Sequence, residues 1–270
     1  MKIPFSKLHG AKNDFLITSV QDAPGSGLED LAIAICHRHT GVGADGWILL
    51  DRTRGPGCDA AIRIFNSDGS EPEVSGNGTR CAALLLAREG AASPIRIRTG
   101  AGVKELRRLS EIGNGEVEFE EVEFEMDMGC IKVLETHATV QALDAVILDV
   151  GNPQCAIPVD HFESAWRAAG AAIEHDVRFP NRTNVSFVRP VDRHLIEVRF
   201  WERGAGETNS SGTGSTGAAV AAIARGFAES PVTVLTPAGN LTVRFDGENA
   251  SLTGPAQFVA EGFFHYGRIS

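Results

Sequence analysis

The chain has 270 residues, of which 43% are hydrophobic and 22% charged, with 35 acids against 25 bases for a net charge of −10. That length suits two modest domains or one large one, and the composition excludes a disordered or membrane-embedded chain. Apolar runs such as Ala82–Ala87 fall far short of the roughly 18 residues of a spanning helix, and an acidic chain repels phosphate backbones, so neither a bilayer nor nucleic acid is expected as a partner.

In chain order, the opening MKIPFSKLHG lacks the apolar core of a signal peptide. The five cysteines, Cys36, Cys58, Cys81, Cys130 and Cys155, are an odd number without CxxC spacing, so a reduced, cytoplasmic protein is expected. A helix is predicted over Leu28–Arg38. His37 and His39, two apart at its end, point their rings in different directions, and no metal site is expected. An alternating strand ends at Phe65, a polar loop leads to Ser75, and an Ala- and Leu-rich helix is predicted over Arg80–Arg88. From Glu116 to Met128, acids alternate with Val, Phe and Met at strand period, which reads as one solvated sheet face rather than an acidic tail. Strands are predicted at VILDV from Val146, NVSFV from Asn184 and LTVRF from Leu241, with helices over His161–Glu174 and Ala218–Arg225.

The chain also repeats itself. Ser75 opens SGNGTRCAALL and Ser211 opens SGTGSTGAAVA, 136 residues later. At the same offset Asn66 answers Glu202 and Glu71 answers Glu207; downstream, at an offset of 137, Thr99, Ala101 and Gly102 answer Thr236, Ala238 and Gly239. Such agreement points to two copies of one fold. The expected class is mixed α/β (α+β) in two pseudo-symmetric halves, residues 1–120, completed by the tail 262–270, and residues 121–261.

In each copy, serine, glycine and threonine precede the helix, which puts Ser75 and Ser211 at helix N-termini. A helix start offers backbone amides and a positive dipole end to an anion, and glycine lets the ligand come close. If the two starts face each other across one cleft, one carboxylate can be held by both, with a side-chain group on each face of its α-carbon. That geometry suits two-base racemisation or epimerisation. GTGSTG from Gly212 also matches the dinucleotide GxGxxG pattern, but GAGETNSS separates it from the preceding strand and its partner loop lacks the third glycine. Tight helix entry alone would explain the glycines, though not the polar cluster of Asn66, Asn77, Glu202 and Arg203.

HGAKNDF from His9, HTGVGADG from His39, NSDGSEPEVSGNGTRCAA from Asn66, GNPQC from Gly151, FPNRTNVSFV from Phe179 and WERGAGETNSSGTGSTGAA from Trp201 resemble, in order, the motifs of the diaminopimelate epimerase family. The resemblance implies two similar halves, each a sheet or barrel wrapped round a central helix. It also implies a cofactor-independent interconversion of LL- and meso-diaminopimelate, serving lysine and peptidoglycan synthesis. By the same resemblance Asn13, Asn66, Asn152, Asn184, Glu202 and Arg203 hold the substrate's distal amino-acid end, and the amides around Gly76, Asn77, Gly212 and Thr213 clasp the reacting α-carboxylate. The partner is then a small amino acid, with a homodimer left open.

The family's two catalytic bases are cysteines, whereas Ser75 and Ser211 occupy those positions here, and Gln154 stands where the family usually carries histidine. A thiol starts near pKa 8.5, so a helix N-terminus brings it into the working range; a hydroxyl is a far weaker acid. Three accounts stay open. The serines are engineered to trap a complex; they belong to a natural branch and are activated by neighbours such as Glu71 and Glu207; or the chain is a relative with lost or altered chemistry that binds or isomerises another amino acid. Cys81, about 9 Å further along its helix, is expected to be structural. Ser75→Cys with Ser211→Cys is expected to raise α-proton exchange in diaminopimelate greatly, and either change alone to give less, since inversion needs an acid and a base. Deuterium wash-in followed by NMR checks this.

Overall fold

A computed structural model describes residues 1–53, 55–110 and 121–267. It forms two compact units, Met1–Met126 with Gly254–Ser270, and Asp127–Thr253. In the first, β1 (Lys2–Gly10) and β2 (Asn13–Ser19) form a hairpin, followed by α1 (Leu28–Cys36), β3 (Gly46–Asp51), β4 (Ala60–Asn66), α2 (Gly76–Arg88), β5 (Ile95–Thr99), β6 (Gly102–Arg108) and β7 (Glu121–Cys130). In the second, β8 (Lys132–Val140), β9 (Leu143–Asp149) and β10 (Pro153–Pro158) precede α3 (Trp166–Glu174) and β11 (Asn184–Asp192). There follow β12 (Leu195–Glu202), β13 (Gly206–Thr208), α4 (Gly212–Ala224), β14 (Val232–Thr236), β15 (Gly239–Phe245) and β16 (Asn249–His265).

The same pairings recur in each unit. β2 runs parallel to β3 and β4 to β5; β10 runs parallel to β11 and β12 to β14; the neighbours between them are antiparallel. A parallel pair needs a crossover, and each crossover here is a helix. The division falls at 126/127 and 253/254 rather than at the expected 120/121 and 261/262. Leu106 of β6 faces Met126 of β7, and Gln257–His265 of β16 pairs with β1, which ties both segments to the first unit.

Strand pleating then sorts side chains between two helices. In the first unit Leu16, Trp47, Leu49 and Phe65 pack with Leu31, Ala32 and Ile35 of α1. Phe15 and Ile48, on the alternate face, press on Gly78 of α2. In the second unit Cys155, Ile157, Val185 and Phe187 pack with Trp166 and Ile173 of α3, while Gln154 and Phe200 lie against Gly217 and Gly214 of α4. Strands covered on both faces read as nearly continuous apolar runs, as WILL from Trp47 does. All of α2 from Gly76 to Ala87 is buried, as are Gly212 and Gly214–Ala222 of α4, so each unit wraps its sheet round a central helix.

Both central helices begin earlier than their apolar runs suggested. Glycine in a first turn lowers helix propensity and reads as loop, but a serine cap offsets the loss. Helix α1 stops at Cys36 because His37 is extended and its ring Nδ1 accepts the amides of His39 (3.3 Å) and Thr40 (3.1 Å). Helix α3 starts at Trp166 rather than His161. In the acidic stretch, Val122, Phe124, Met126 and Met128 of β7 are buried while Glu121, Glu123 and Asp127 are exposed; residues 116–120 lie outside the described residues. Among the described residues no helix is long and apolar enough to cross a membrane. Leu84→Ala, in the buried face of α2, is expected to cost about 2–5 kcal/mol in urea denaturation.

Candidate active site

Ser75 and Ser211 are the N-caps of α2 and α4, in near-identical backbone conformations (φ −129°, ψ 118° and φ −143°, ψ 123°). Each hydroxyl accepts the amide hydrogen of the third residue on, from Gly78 and Gly214, both at 3.1 Å. Each carbonyl accepts that of the fourth, from Thr79 at 2.8 Å and Ser215 at 2.9 Å. The remaining amides of each first turn, at Gly76–Asn77 and Gly212–Thr213, precede those bonds. Gly214 must be glycine, since a Cβ there would come within 2.9 Å of both the Phe200 ring and the Ser211 hydroxyl.

Around α2 the structure brings Asn13 and Asn77 together: Asn77 Nδ2 donates to Asn13 Oδ1 at 3.1 Å, and Asn13 Nδ2 donates to Asp45 Oδ2 at 2.8 Å. Asp45 is in turn held by Arg38 at 2.7 Å. Asn66 at the end of β4 is bonded within its own turn, Nδ2 to Ser70 Oγ at 2.9 Å. Around α4, Gln154 Nε2 donates to Asn152 Oδ1 (2.8 Å) and Thr213 Oγ1 (3.3 Å), and Asn152 Nδ2 reaches Thr213 Oγ1 at 3.4 Å. Asn184 Oδ1 accepts the Arg203 amide at 3.0 Å, while its Nδ2 donates to the Pro153 carbonyl at 3.1 Å. The turn carrying Glu202 and Arg203 is fastened by buried Glu174, which accepts Trp201 Nε1 at 2.8 Å and the Gly204 amide at 2.9 Å. Arg203 itself extends outward, Nη1 to the Asn181 carbonyl at 3.3 Å.

The acids proposed from sequence as activators of the serines are engaged elsewhere. Glu71 forms a two-bond ion pair with Arg63, at 2.9 and 2.8 Å, and Glu207 forms one with Arg167, at 2.5 and 2.8 Å. Pleating explains the second case: Glu207 lies opposite Trp201, whose side chain faces α3, so Glu207 meets Arg167 there. Glu202, one residue along β12, shares the α4-facing side of Phe200. Burial pushes its carboxyl above the ordinary range, and the nearby Ser211 and Thr208 hydroxyls pull it part of the way back, although the Thr208 hydroxyl makes no hydrogen bond among the described residues. Of the acids near the motif, Glu202 is therefore the one that lies near Ser211. Ser75 has no carboxylate partner among the described residues. Cys81 is fully buried, and burial pushes its thiol up to about 12; Cys155 behaves alike, so neither replaces a base.

Asp45 and Arg80 carry no role from sequence. Both lie inside quoted motifs, HTGVGADG and SGNGTRCAA, yet their bonding partners are distant in the chain or hidden by burial.

This fold is shared with a phenazine biosynthesis protein of the PhzF family from Bacillus anthracis (TM-score 0.72, 15% identity, 98% of this chain and 100% of that one). It is shared equally with a hydroxyproline epimerase from Agrobacterium vitis (TM-score 0.69, 15% identity, 97% and 92%), solved with bound trans-4-hydroxy-L-proline. Two like units, each built round a central helix, are thus a fold that this chain shares with both proteins. In sequence, the diaminopimelate epimerase of Ectopseudomonas mendocina (strain ymp) is 38% identical over 273 residues, covering 97% of this chain and 99% of that protein. The family model described as diaminopimelate epimerase matches residues 5–126 and 146–259, and the chain belongs to the diaminopimelate epimerase family.

Glu202 generates a pH prediction. A carboxyl raised by folding holds its proton more tightly in the native than in the unfolded state, so stability falls as pH rises from the ordinary glutamate value, 4.5, through the raised one. Glu202→Gln is expected to flatten that fall. Thermal melts of both proteins at intervals from about pH 4.5 to 7 measure the difference in slope.

Proposed function

We propose that the protein is a cofactor-independent epimerase that interconverts LL- and meso-diaminopimelate by two-base proton transfer, with Ser75 and Ser211 at the base positions. The observation that carries this reading is the duplicated N-cap. In a chain of this family, one hydroxyl stands at the start of each central helix beside amides suited to a carboxylate. Gly76, Asn77, Gly212 and Thr213 hold the α-carboxylate, where negative charge develops as the α-proton leaves. Asn13, Asn66, Asn152, Asn184 and Arg203 serve the distal amino-acid end, whereas Glu202, which the family resemblance also assigns there, is taken up at Ser211. An acidic chain without a spanning helix among the described residues suits a small, soluble amino acid, and a cytoplasmic setting belongs to the same reading.

A hydroxyl is a poor base alone, and Glu202 changes that for Ser211. As Ser211 Oγ takes the α-proton, its own proton passes to the Glu202 carboxylate, whose raised affinity for protons suits it as acceptor. The electron pair left on carbon spreads into the substrate carboxylate. Ser75 then delivers its proton to the opposite face, and the resulting alkoxide is held by the Gly78 amide and the helix dipole until solvent reprotonates it.

Since among the described residues a carboxylate stands near Ser211 and none pairs with Ser75, exchange at the Ser211 face is expected to outpace inversion. Deuterium wash-in at the α-carbon, with chiral analysis of the product, should show label entering faster than the meso and LL forms interconvert. Ser75→Cys should then raise inversion more than Ser211→Cys does. Absence of any wash-in by the native protein at saturating diaminopimelate would refute the catalytic reading.

A further inference from the structure

Gln154 of β10 is 2% exposed, and its side-chain amide lies at the first turn of α4. A carboxamide carries two hydrogens and one acceptor oxygen. Both hydrogens are placed, with Nε2 donating to Asn152 Oδ1 at 2.8 Å and to Thr213 Oγ1 at 3.3 Å, but the buried Oε1 accepts nothing among the described residues. A buried acceptor without a donor bears the full cost of its desolvation. Packing does not ask for it. Gln154 pairs with Asn184, the first residue of β11, just as Phe15 pairs with Gly46, the first residue of β3. The place that Phe15 fills with a ring against Gly78 of α2 is thus filled here by an amide side chain against Gly217 of α4. A Cβ on Gly217 would come within 3.3 Å of Gln154 Cγ, so that glycine leaves the room in which the amide reaches Thr213.

Amides in the first turn of a helix are donors and take an anion, whereas an ammonium only donates and takes an acceptor. An α-amino acid carries both groups on one carbon. A carboxylate on the amides of Gly212 and Thr213 therefore brings its ammonium to the neighbourhood of Thr213, and Oε1 of Gln154 is an oxygen there without a donor of its own. We propose that Gln154 is a specificity-determining residue: its side-chain oxygen accepts a hydrogen from the ammonium beside the carboxylate held at α4, so that this half selects α-amino acids over acids that lack the amino group. The oxygen carries no charge, so it holds the ammonium without repelling the carboxylate next to it. A histidine, usual here in the family, would also titrate near neutral pH, which glutamine does not. The proposal rests on the reading of the Ser211 helix start as a carboxylate site.

The test measures two ligands on two proteins by calorimetry. The ligands are diaminopimelate and pimelate, which keeps both carboxylates and has no ammonium; the proteins are the native chain and Gln154→Met, which keeps the bulk and removes the oxygen. Losing a hydrogen bond to a charged group is expected to weaken diaminopimelate about tenfold to a hundredfold in Gln154→Met, with pimelate bound almost as before. The lost Nε2 bonds act on both ligands and cancel in the comparison. Equal changes for both ligands, or none for either, in a folded Gln154→Met overturn the proposal. If that variant does not fold, Gln154→Glu decides: it keeps the shape and an oxygen and adds negative charge, so the preference for diaminopimelate over pimelate should widen, and a folded variant with the native preference overturns it. The proposed function is judged separately. A native protein that binds neither ligand refutes the carboxylate site itself, and this inference with it. One that binds diaminopimelate no more tightly than pimelate refutes this inference alone. One that binds diaminopimelate and exchanges no α-proton refutes catalysis, and the ligand comparison still decides the role of Gln154.

Discussion

A helix that begins inside a protein brings with it amide hydrogens that no preceding turn can accept, and the structure depends on how those are answered. In both halves a serine hydroxyl closes onto the third amide and the serine carbonyl onto the fourth. The amides before them then lie among glycines, where a ligand can approach. Each sheet is organised to bury the helix that this cap starts, with Phe15 and Ile48 against α2 and Phe200 against α4. The cap is thus the element of the fold on which the proposed chemistry rests.

The same side chain serves as cap and as candidate base, and these roles make different demands. As a cap, serine is among the best residues and would be preferred to cysteine. As a base it needs help that cysteine does not, because a helix dipole ionises a thiol readily and a hydroxyl hardly at all. The two halves meet that need differently. Ser211 has Glu202 beside it, whereas the notable charge behind Ser75 is the buried cation Arg80. Duplication supplied equal scaffolds, and the residues set into them have made the two starts electrostatically opposite.

Polar groups around the caps are held mostly by partners of one bonding type. Arg80 and Asp45 hold the asparagines of the first half from opposite ends, and the Arg203 amide and Pro153 carbonyl hold Asn184 in the second. Glu174, buried and bonded to Trp201 and Gly204, secures the turn that presents Glu202. Pre-oriented groups of this kind need little reorganisation when charge develops, which is where such sites obtain their effect.

The sequence by itself determined the duplication, the helices at both repeats, the serines at their starts and the family, because capping and periodicity act over a few residues and survive in local pattern. Helix boundaries were less legible where glycine occupied a first turn, since propensity there opposes what the cap and tertiary burial enforce. The tertiary structure alone decided which acid meets Ser211. Glu207 and Glu202 are close in the chain and both near the motif, but the pleat sends one to α3 and Arg167 and the other to α4. It alone also showed that Arg80 is buried and that Asp45, in another motif, closes the asparagine chain. These partners are joined through strand register, a relation between distant segments that no local pattern records.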